Sequence, residues 1–445
     1  MKRVLRWWPF VPLVWLAVAV AVIKPGTIEI RENVAFEFSL LFYDPADIGA
    51  FVLRGANSSM GRLPGRTDEP QEEQPSDLAR RLDAPQPPYS DRFYLEYPTA
   101  TLLLFRLGFL APCELPPAVA DAQQYAVAHF IPRTAEEERI WSRFHFAAVL
   151  HLALMTAALG VLIVVLRRGY VPGGEPGPVW LAVLPGAVFF ALNRFDVLPA
   201  LSTALGFAAI GRNRHAWSGA CFACGSLLKI YPVLFTPIIL RGLGPRDGAK
   251  WLAGFTATIL VGVGLSTAAF GWESTVRPVL VQLSRPLEET SWTLYGRVLP
   301  MELGRAKLAR PAILAVAGLL LSFSRPRDLH AILRRCSVLL LVFTALAVFW
   351  SPQWVVWFLP LVVPLAARHR WVLHLSIALD LINYFQFPVL FWILWSNANR
   401  ELCSIITETT IGIRIAMWGA LAGGLLWCEF RHRSPERCPE PSPSA

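Results

Sequence analysis

Charged residues are scarce in this chain. Only 16% of its 445 residues are Asp, Glu, Lys or Arg, whereas soluble domains carry roughly a quarter. Hydrophobic residues make up 54% of the sequence, and they are concentrated in blocks of roughly 14 to 22 residues. This distribution excludes a standard soluble enzyme with a single core, and it is typical of a polytopic helical membrane protein.

The sequence also lacks the short motifs of several enzyme classes. It contains no GxSxG, no P-loop and no GxGxxG, which excludes the usual hydrolase, NTPase and nicotinamide-dependent patterns. Its histidines are scattered, without HExxH or another paired metal spacing, so we predict no cofactor and no metal. The net charge of +9 comes without a basic stripe interleaved with aromatics. The chain is therefore expected to interact with a lipid bilayer and not with nucleic acid.

The N-terminal third of the chain is predicted to contain one span and a long loop. Residues 1–23 hold an apolar run without a small-residue cleavage site behind it, which predicts a retained first transmembrane helix. Residues 24–143 are predicted to form an extracytoplasmic loop. Within it we interpret 57–88 as a flexible insertion, and Tyr94–Leu110 as a helix that lies in the membrane plane.

The remainder is predicted to form the transmembrane bundle and a tail. The bundle covers residues 144–430, with a second extracytoplasmic loop at 271–310, and residues 431–445 form a disordered cytoplasmic tail. Because Lys and Arg cluster in alternate loops, the positive-inside rule puts those loops and both termini in the cytoplasm. The sequence thus predicts an all-α, polytopic transmembrane bundle of about 11–13 spans in the inner (plasma) membrane.

Four apolar blocks are too short to cross a bilayer alone, since each has about 10 to 15 residues where about 20 are needed. They are Val179–Asn193, Val197–Ile210, Ala216–Leu228 and Tyr231–Leu240. The first pair flanks Arg194 and Asp196, and the second pair flanks Lys229. This arrangement predicts two short helical hairpins with charged tips.

Polar residues from separate parts of the chain are expected to converge on the outer face of the bundle. Ionisable residues are costly in a bilayer, so their positions indicate functional sites. The candidates on this face are Asp44, Asp47, Glu96, Tyr97, Arg194, Asp196, Lys229, Tyr231, Ser351, Gln353 and Trp354.

These candidates also have structural interpretations. Either loop aspartate could cap the helix that follows it. Arg194 and Asp196 could form an ion pair at a hairpin tip, and Lys229 could extend its ammonium to the headgroups. Residues 351–354 could form a turn with an interfacial tryptophan. Asp380 lies inside a predicted span, where a contact within the bundle is expected.

Four regions of the chain carry a family likeness, in this order. They are Asp47-Ile48-Gly49-Ala50-Phe51; Phe93-Tyr94-Leu95-Glu96-Tyr97-Pro98; Asn193-Arg194-Phe195-Asp196 with Leu228-Lys229-Ile230-Tyr231-Pro232; and Ser351-Pro352-Gln353-Trp354 with Trp357. Together they resemble the polytopic GT-C glycosyltransferases, most closely glycosyltransferase family 87, the polyprenyl-phosphate-mannose-dependent mannosyltransferase-like proteins. The sequence departs from the family pattern at Thr99, where a second proline is usual.

The resemblance implies an inverting transfer of a single mannose-like hexose from a polyprenyl-phosphate donor to a hydroxyl of a glycolipid or glycan acceptor on the extracytoplasmic face. The acceptor hydroxyl must lose a proton as it attacks, so a carboxylate general base is needed, and Asp47 or Asp44 is in the right loop. Arg194 and Lys229 are expected to bind the donor phosphate. Sugar and acceptor contacts are expected from Glu96, Tyr97, Asp196, Tyr231, Trp292, Tyr295, Ser351, Gln353 and Trp354.

Two other functions remain open at this point. A transporter or lipid flippase would also have many spans, although inverted repeats and charges near the midplane would be expected. An oligosaccharide ligase or polymerase would use pyrophosphate-linked donors and clusters of Arg or His in large outer loops. The residues do not fix the sugar, the acceptor or the oligomeric state.

Overall fold

The computed structural model has only helices as regular structure within the residues that it describes. These are residues 10–22, 100–108, 135–171, 177–272, 275–276, 309–347, 351–394 and 400–431. The α-helices are α1 (Val11–Val22), α2 (Ala100–Arg106), α3 (Ala135–Arg168), α4 (Pro185–Asn193), α5 (Val197–Ile210), α6 (His215–Leu228), α7 (Thr236–Leu243), α8 (Pro245–Phe270), α9 (Ala309–Ser322), α10 (Leu329–Ala345), α11 (Trp354–Arg368), α12 (Arg370–Tyr384) and α13 (Arg400–Arg431). Over this part of the chain the all-α prediction is confirmed.

Several helices are long and apolar enough to cross a membrane. Four helical stretches meet this condition by length and composition: Glu138–Arg168, Pro245–Phe270, Arg370–Leu390 and Ile405–Arg431. The count rises to five if α4 and α5, which are bent by 108° at their junction, are taken as one broken span. These helices agree with a polytopic membrane protein. The exposed apolar side chains of α8, such as Leu260 and Leu265, suit contact with lipid.

The helix bounds follow the predicted apolar blocks, but they differ at α2, at the start of α3 and within the block Val179–Asn193. Helix α3 begins at Ala135, inside the predicted outer loop, and only Ala100–Arg106 of the predicted in-plane helix is described. The block Val179–Asn193 is divided, because the backbone is extended at Leu184 and Pro185 starts α4 at its first helical position. Proline is favoured there, since it has no N–H to donate.

The core lies around α5, which packs against α3, α6 and α11. The side chains of this core are largely aromatic. Phe207 on α5 packs edge to face against Phe222 on α6, with ring centroids 5.1 Å apart. Phe235, in the short 3-10 turn that precedes α7, completes this group, and all three side chains are fully buried. Such edge-to-face pairs add stability beyond the apolar area that they bury.

Helices α6 and α8 approach each other closely through small residues. A methyl group at Gly254 would overlap the carbonyl oxygen of Ala216, and one at Gly219 would overlap that of Trp251. Glycine is therefore required at both positions for the helix backbones to touch. The indole of Trp251 donates a hydrogen bond of 3.1 Å to the Ser218 hydroxyl across the same contact.

An ion-pair cluster joins the start of α10 to the end of α13. The carboxylate of Glu429 accepts hydrogen bonds from Arg334, at 2.9 Å, and from Arg335, at 2.5 Å. Arg335 also donates to the backbone carbonyl of Leu321 at 3.0 Å. The cluster is largely buried, and it ties the end of α13 to the consecutive helices α9 and α10.

Candidate functional site

The junction of α4 and α5 buries two charged residues. Helix α4 ends at Asn193, whose side-chain amide donates to the Phe189 carbonyl, and Arg194 then adopts an extended backbone. Asp196 begins α5 after the bend. Arg194 is 4% exposed, and Phe195 and Asp196 are fully buried. The predicted charged tip therefore exists, and it lies inside the bundle.

A second interruption of helical structure, after α6, lies next to the junction of α4 and α5. Lys229 follows α6 in an extended conformation, and its ammonium Nζ lies 2.8 Å from Oδ1 of Asp196. Lys229 is 7% exposed, so its ammonium lies inside the bundle. Within the described part of the chain, the Asp196 carboxylate bonds to Lys229 and Trp357, and the alternative interpretation of an Arg194–Asp196 ion pair is not what these residues form.

Trp357 of α11 joins this pair. Its indole Nε1 donates to Oδ1 of Asp196 at 2.5 Å, and its ring stacks on Tyr231 with centroids 4.4 Å apart and planes 11° apart. The Lys229 ammonium lies 5.2 Å from the Trp357 ring centroid and 5.1 Å from that of Phe195, within cation–π range. An aromatic cage thus surrounds the ion pair.

The hydroxyl of Tyr231 is also hydrogen-bonded. It lies 3.3 Å from Oγ1 of Thr203, which in turn donates to the Pro199 carbonyl at 2.8 Å. Tyr231 is fully buried. Its position fixes the ring against Trp357, so its role in this structure is to orient the cage.

The Ser351-Pro352-Gln353-Trp354 stretch forms a turn into α11, in which the Trp354 N–H donates to the Ser351 carbonyl at 3.2 Å. Gln353 is 3% exposed, and its Oε1 has no hydrogen-bond partner among the described residues. The Trp354 ring stacks near that of Trp357, with centroids 5.3 Å apart. The turn is therefore connected to the Asp196–Lys229 ion pair through Trp354 and Trp357.

Asp380 contacts the bundle interior, as its position in a predicted span indicated. Its carboxylate accepts from the N–H of Gly186 at 2.9 Å and from that of Ala187 at 2.7 Å. These donors belong to the first turn of α4, where backbone N–H groups lack partners within the helix. Asp380 therefore caps a helix from which it is separated by almost two hundred residues.

Six candidates lie outside the described residues: Asp44, Asp47, Glu96, Tyr97, Trp292 and Tyr295. The structure thus brings together Asp196, Lys229, Tyr231 and the 351–354 turn, with Arg194 at the same break. It leaves the general base as a prediction. In the part of the chain that the structure covers, no three His, Cys, Asp or Glu side chains are grouped to hold a metal ion.

Sequence reasoning placed Trp357 in the fourth family-like region but did not count it among the candidate site residues. A tryptophan N–H needs an acceptor when it is buried, and Trp357 follows the polar turn by one helical turn. That spacing is the signal that points to it.

No family model, no curated protein and no solved structure matches this chain.

Proposed function

We propose that this chain is a membrane glycosyltransferase that transfers a single mannose-like hexose, with inversion, from a polyprenyl-phosphate donor to an acceptor hydroxyl on the extracytoplasmic face. On this proposal the helices form a GT-C-like bundle of about 11–13 spans, with both termini in the cytoplasm. The observation that supports it best is the buried meeting of two helix breaks, where Lys229 pairs with Asp196 two residues beyond Arg194.

Fixed cations are what a departing lipid phosphate requires, because its negative charge grows in the transition state. Lys229 is held by Asp196 and by the rings of Phe195 and Trp357. It therefore needs little reorganisation when the donor binds. An ammonium has three N–H donors, so Lys229 can share its protons between Asp196 and a phosphate oxygen. The guanidinium of Arg194 can fork onto two phosphate oxygens.

The remaining roles follow from the chemistry of the transfer. Asp47 or Asp44 takes the proton of the acceptor hydroxyl as that oxygen forms a bond to the anomeric carbon. The bond from the anomeric carbon to the phosphate oxygen breaks, and the electron pair stays with the phosphate. Gln353, with its buried amide, offers a polar contact for sugar hydroxyls. Asp196 acts as a positioning residue that holds Lys229.

The test is transfer by the purified chain in liposomes, with a radiolabelled polyprenyl-phosphate hexose and a lipid extract as acceptor. One of Asp47→Asn and Asp44→Asn should lower the transfer rate by about 100-fold or more, while donor binding remains. Arg194→Gln should weaken donor binding. The exposed Arg168 on α3 gives a matched control, since Arg168→Gln should change neither measurement.

Comparing the lipid-linked glycans of cells with and without the gene by mass spectrometry would identify the sugar and the acceptor. If both aspartate variants keep full transfer, or if the purified chain moves lipid across the bilayer without forming a glycosidic bond, the proposal is wrong. The second outcome would favour a flippase.

A further inference from the structure

A partly open cleft lies along α11, and neither Asp196 nor Lys229 lines it. Val355, Phe358 and Val362 supply one wall, at spacings that put them on one face of the helix. Helices α10, α12 and α13 contribute most of the other walls. Among the described residues, the lining is mostly apolar and contains no Lys or Arg.

Helix α12 presents a polar stripe to this cleft. Ser376, Asp380 and Asn383 all line it, and they are four and then three residues apart, on one face. Asp380 is occupied by the backbone N–H groups that it caps. Asn383 is 5% exposed, and its Oδ1 has no hydrogen-bond partner among the described residues. The Ser376 hydroxyl also has none there.

Buried polar side chains are nearly always hydrogen-bonded in native proteins. An amide that faces an apolar cleft without a partner therefore indicates a ligand with a matching polar group. A phosphate or carboxylate would need a cation, and none is present among the described residues of the cleft wall. A hydroxyl suits the site, because it can donate to Asn383 Oδ1 and accept from its Nδ2.

We propose that this cleft binds a hydroxyl-bearing lipid, with its apolar chain along α11 and its hydroxyl on Asn383. This inference rests on the proposed function, because we take the bound lipid to be the acceptor of the sugar. The described lining residues, which include neither Lys nor Arg, distinguish this site from the phosphate site at Arg194 and Lys229.

The location of the cleft agrees with this role. Ser351 and Trp354 also line it, and Trp354 packs on Trp357, which bonds to Asp196. Helices α11 and α12 are joined through His369 alone and pack against each other, so Asn383 lies near the end of the pair where the turn at Ser351 leads into α11. A lipid hydroxyl on Asn383 is therefore at the end of the cleft nearest the ion pair.

The test uses the full chain in lipid nanodiscs and a diazirine-bearing sixteen-carbon alcohol as the probe. After irradiation, peptide mass spectrometry should map the label to α11 and α12. Leu379→Trp fills the cleft and should abolish this labelling. Leu381→Trp is the matched control, because Leu381 is on the same helix but is 48% exposed, and labelling should be unchanged.

The polar contact has its own variant. Asn383→Leu should weaken labelling by the alcohol about tenfold, the effect of one hydrogen bond, and should leave labelling by an alkane probe of equal length unchanged. If Leu379→Trp does not fold, Leu421→Trp fills the cleft from α13. Equal labelling in all variants overturns the proposal, and so does stronger competition by an alkyl phosphate than by the alcohol.

Labelling requires no turnover, which keeps this test apart from that of the transferase. If the chain is labelled as expected but transfers no sugar, the lipid site is supported and the proposed function is wrong. If the chain transfers sugar but is not labelled in the cleft, the proposed function is supported and the lipid site is wrong.

Discussion

The ammonium of Lys229 and the carboxylate of Asp196 form a buried ion pair, with 2.8 Å between Nζ and Oδ1. Each residue stands at a break between two apolar helices. Charges are costly in such surroundings unless they are paired. The two breaks are therefore stable only when they meet.

This pairing predicts strong coupling between the two residues. Lys229→Met leaves the Asp196 carboxylate buried without its counter-ion and should destabilise the protein by roughly 3–5 kcal/mol. Asp196→Leu should also destabilise the protein, because Lys229 loses the buried carboxylate that it contacts. The double variant should be more stable than the sum of the single effects implies, because it no longer buries the Asp196 carboxylate without Lys229. Thermal unfolding of the purified protein in detergent measures all three, and additive effects would contradict the pairing.

The hydrogen bond from Trp357 to Asp196 gives a separate prediction. Trp357→Phe removes the indole N–H but keeps a ring against Tyr231. Loss of a donor to a buried carboxylate should destabilise the protein by about 1–3 kcal/mol. Trp427→Phe is the control, because Trp427 is 60% exposed on α13 and its replacement should leave the melting temperature unchanged. Equal effects of the two substitutions would show that the N–H of Trp357 contributes nothing.

The sequence predicts the local structure of these helices better than their contacts. The bounds of α5 and the start of α11 agree with the apolar blocks, because charged residues and a proline turn delimit them. The break at Leu184 lies inside a continuous apolar block, where hydropathy gives no sign of it and only Pro185 marks it.

The contacts of the site depend on how separate helices pack. Asp196 has a near neighbour of opposite charge in Arg194, so the sequence leaves a local pair open as an alternative, whereas the fold brings Lys229 to Asp196 across α5 and α6. Similarly, Asp380 caps α4 because α12 packs against it, which no local pattern encodes. From the sequence alone Trp357 could equally face lipid. In the fold its indole N–H donates to the Asp196 carboxylate, which turns the ring into the bundle.

The close contact of α6 and α8 predicts opposite results for two glycines on one helix. Gly254→Ala would force a methyl group against the Ala216 carbonyl, whereas a methyl group at Gly264 meets no atom within 4 Å. The first substitution should separate the helices and cost roughly 1–3 kcal/mol of stability. The second should leave stability unchanged or raise it slightly, since alanine favours helix more than glycine does. Thermal unfolding of both variants makes the comparison, and a stable Gly254→Ala protein would contradict the packing.

The Glu429 cluster predicts a large effect far from the candidate site. Glu429→Gln removes the only charge in the described residues that compensates Arg334 and Arg335 at this contact, and it should destabilise the protein by roughly 3 kcal/mol. The effect should persist in high salt, because buried pairs are screened much less than exposed ones. Asp247→Asn is the control, since the Asp247 carboxylate is solvent-exposed and its contacts with Lys250 and His215 should contribute little. If transfer activity is lost at temperatures where the Glu429→Gln protein is still folded, the cluster has a role beyond holding α10 to α13.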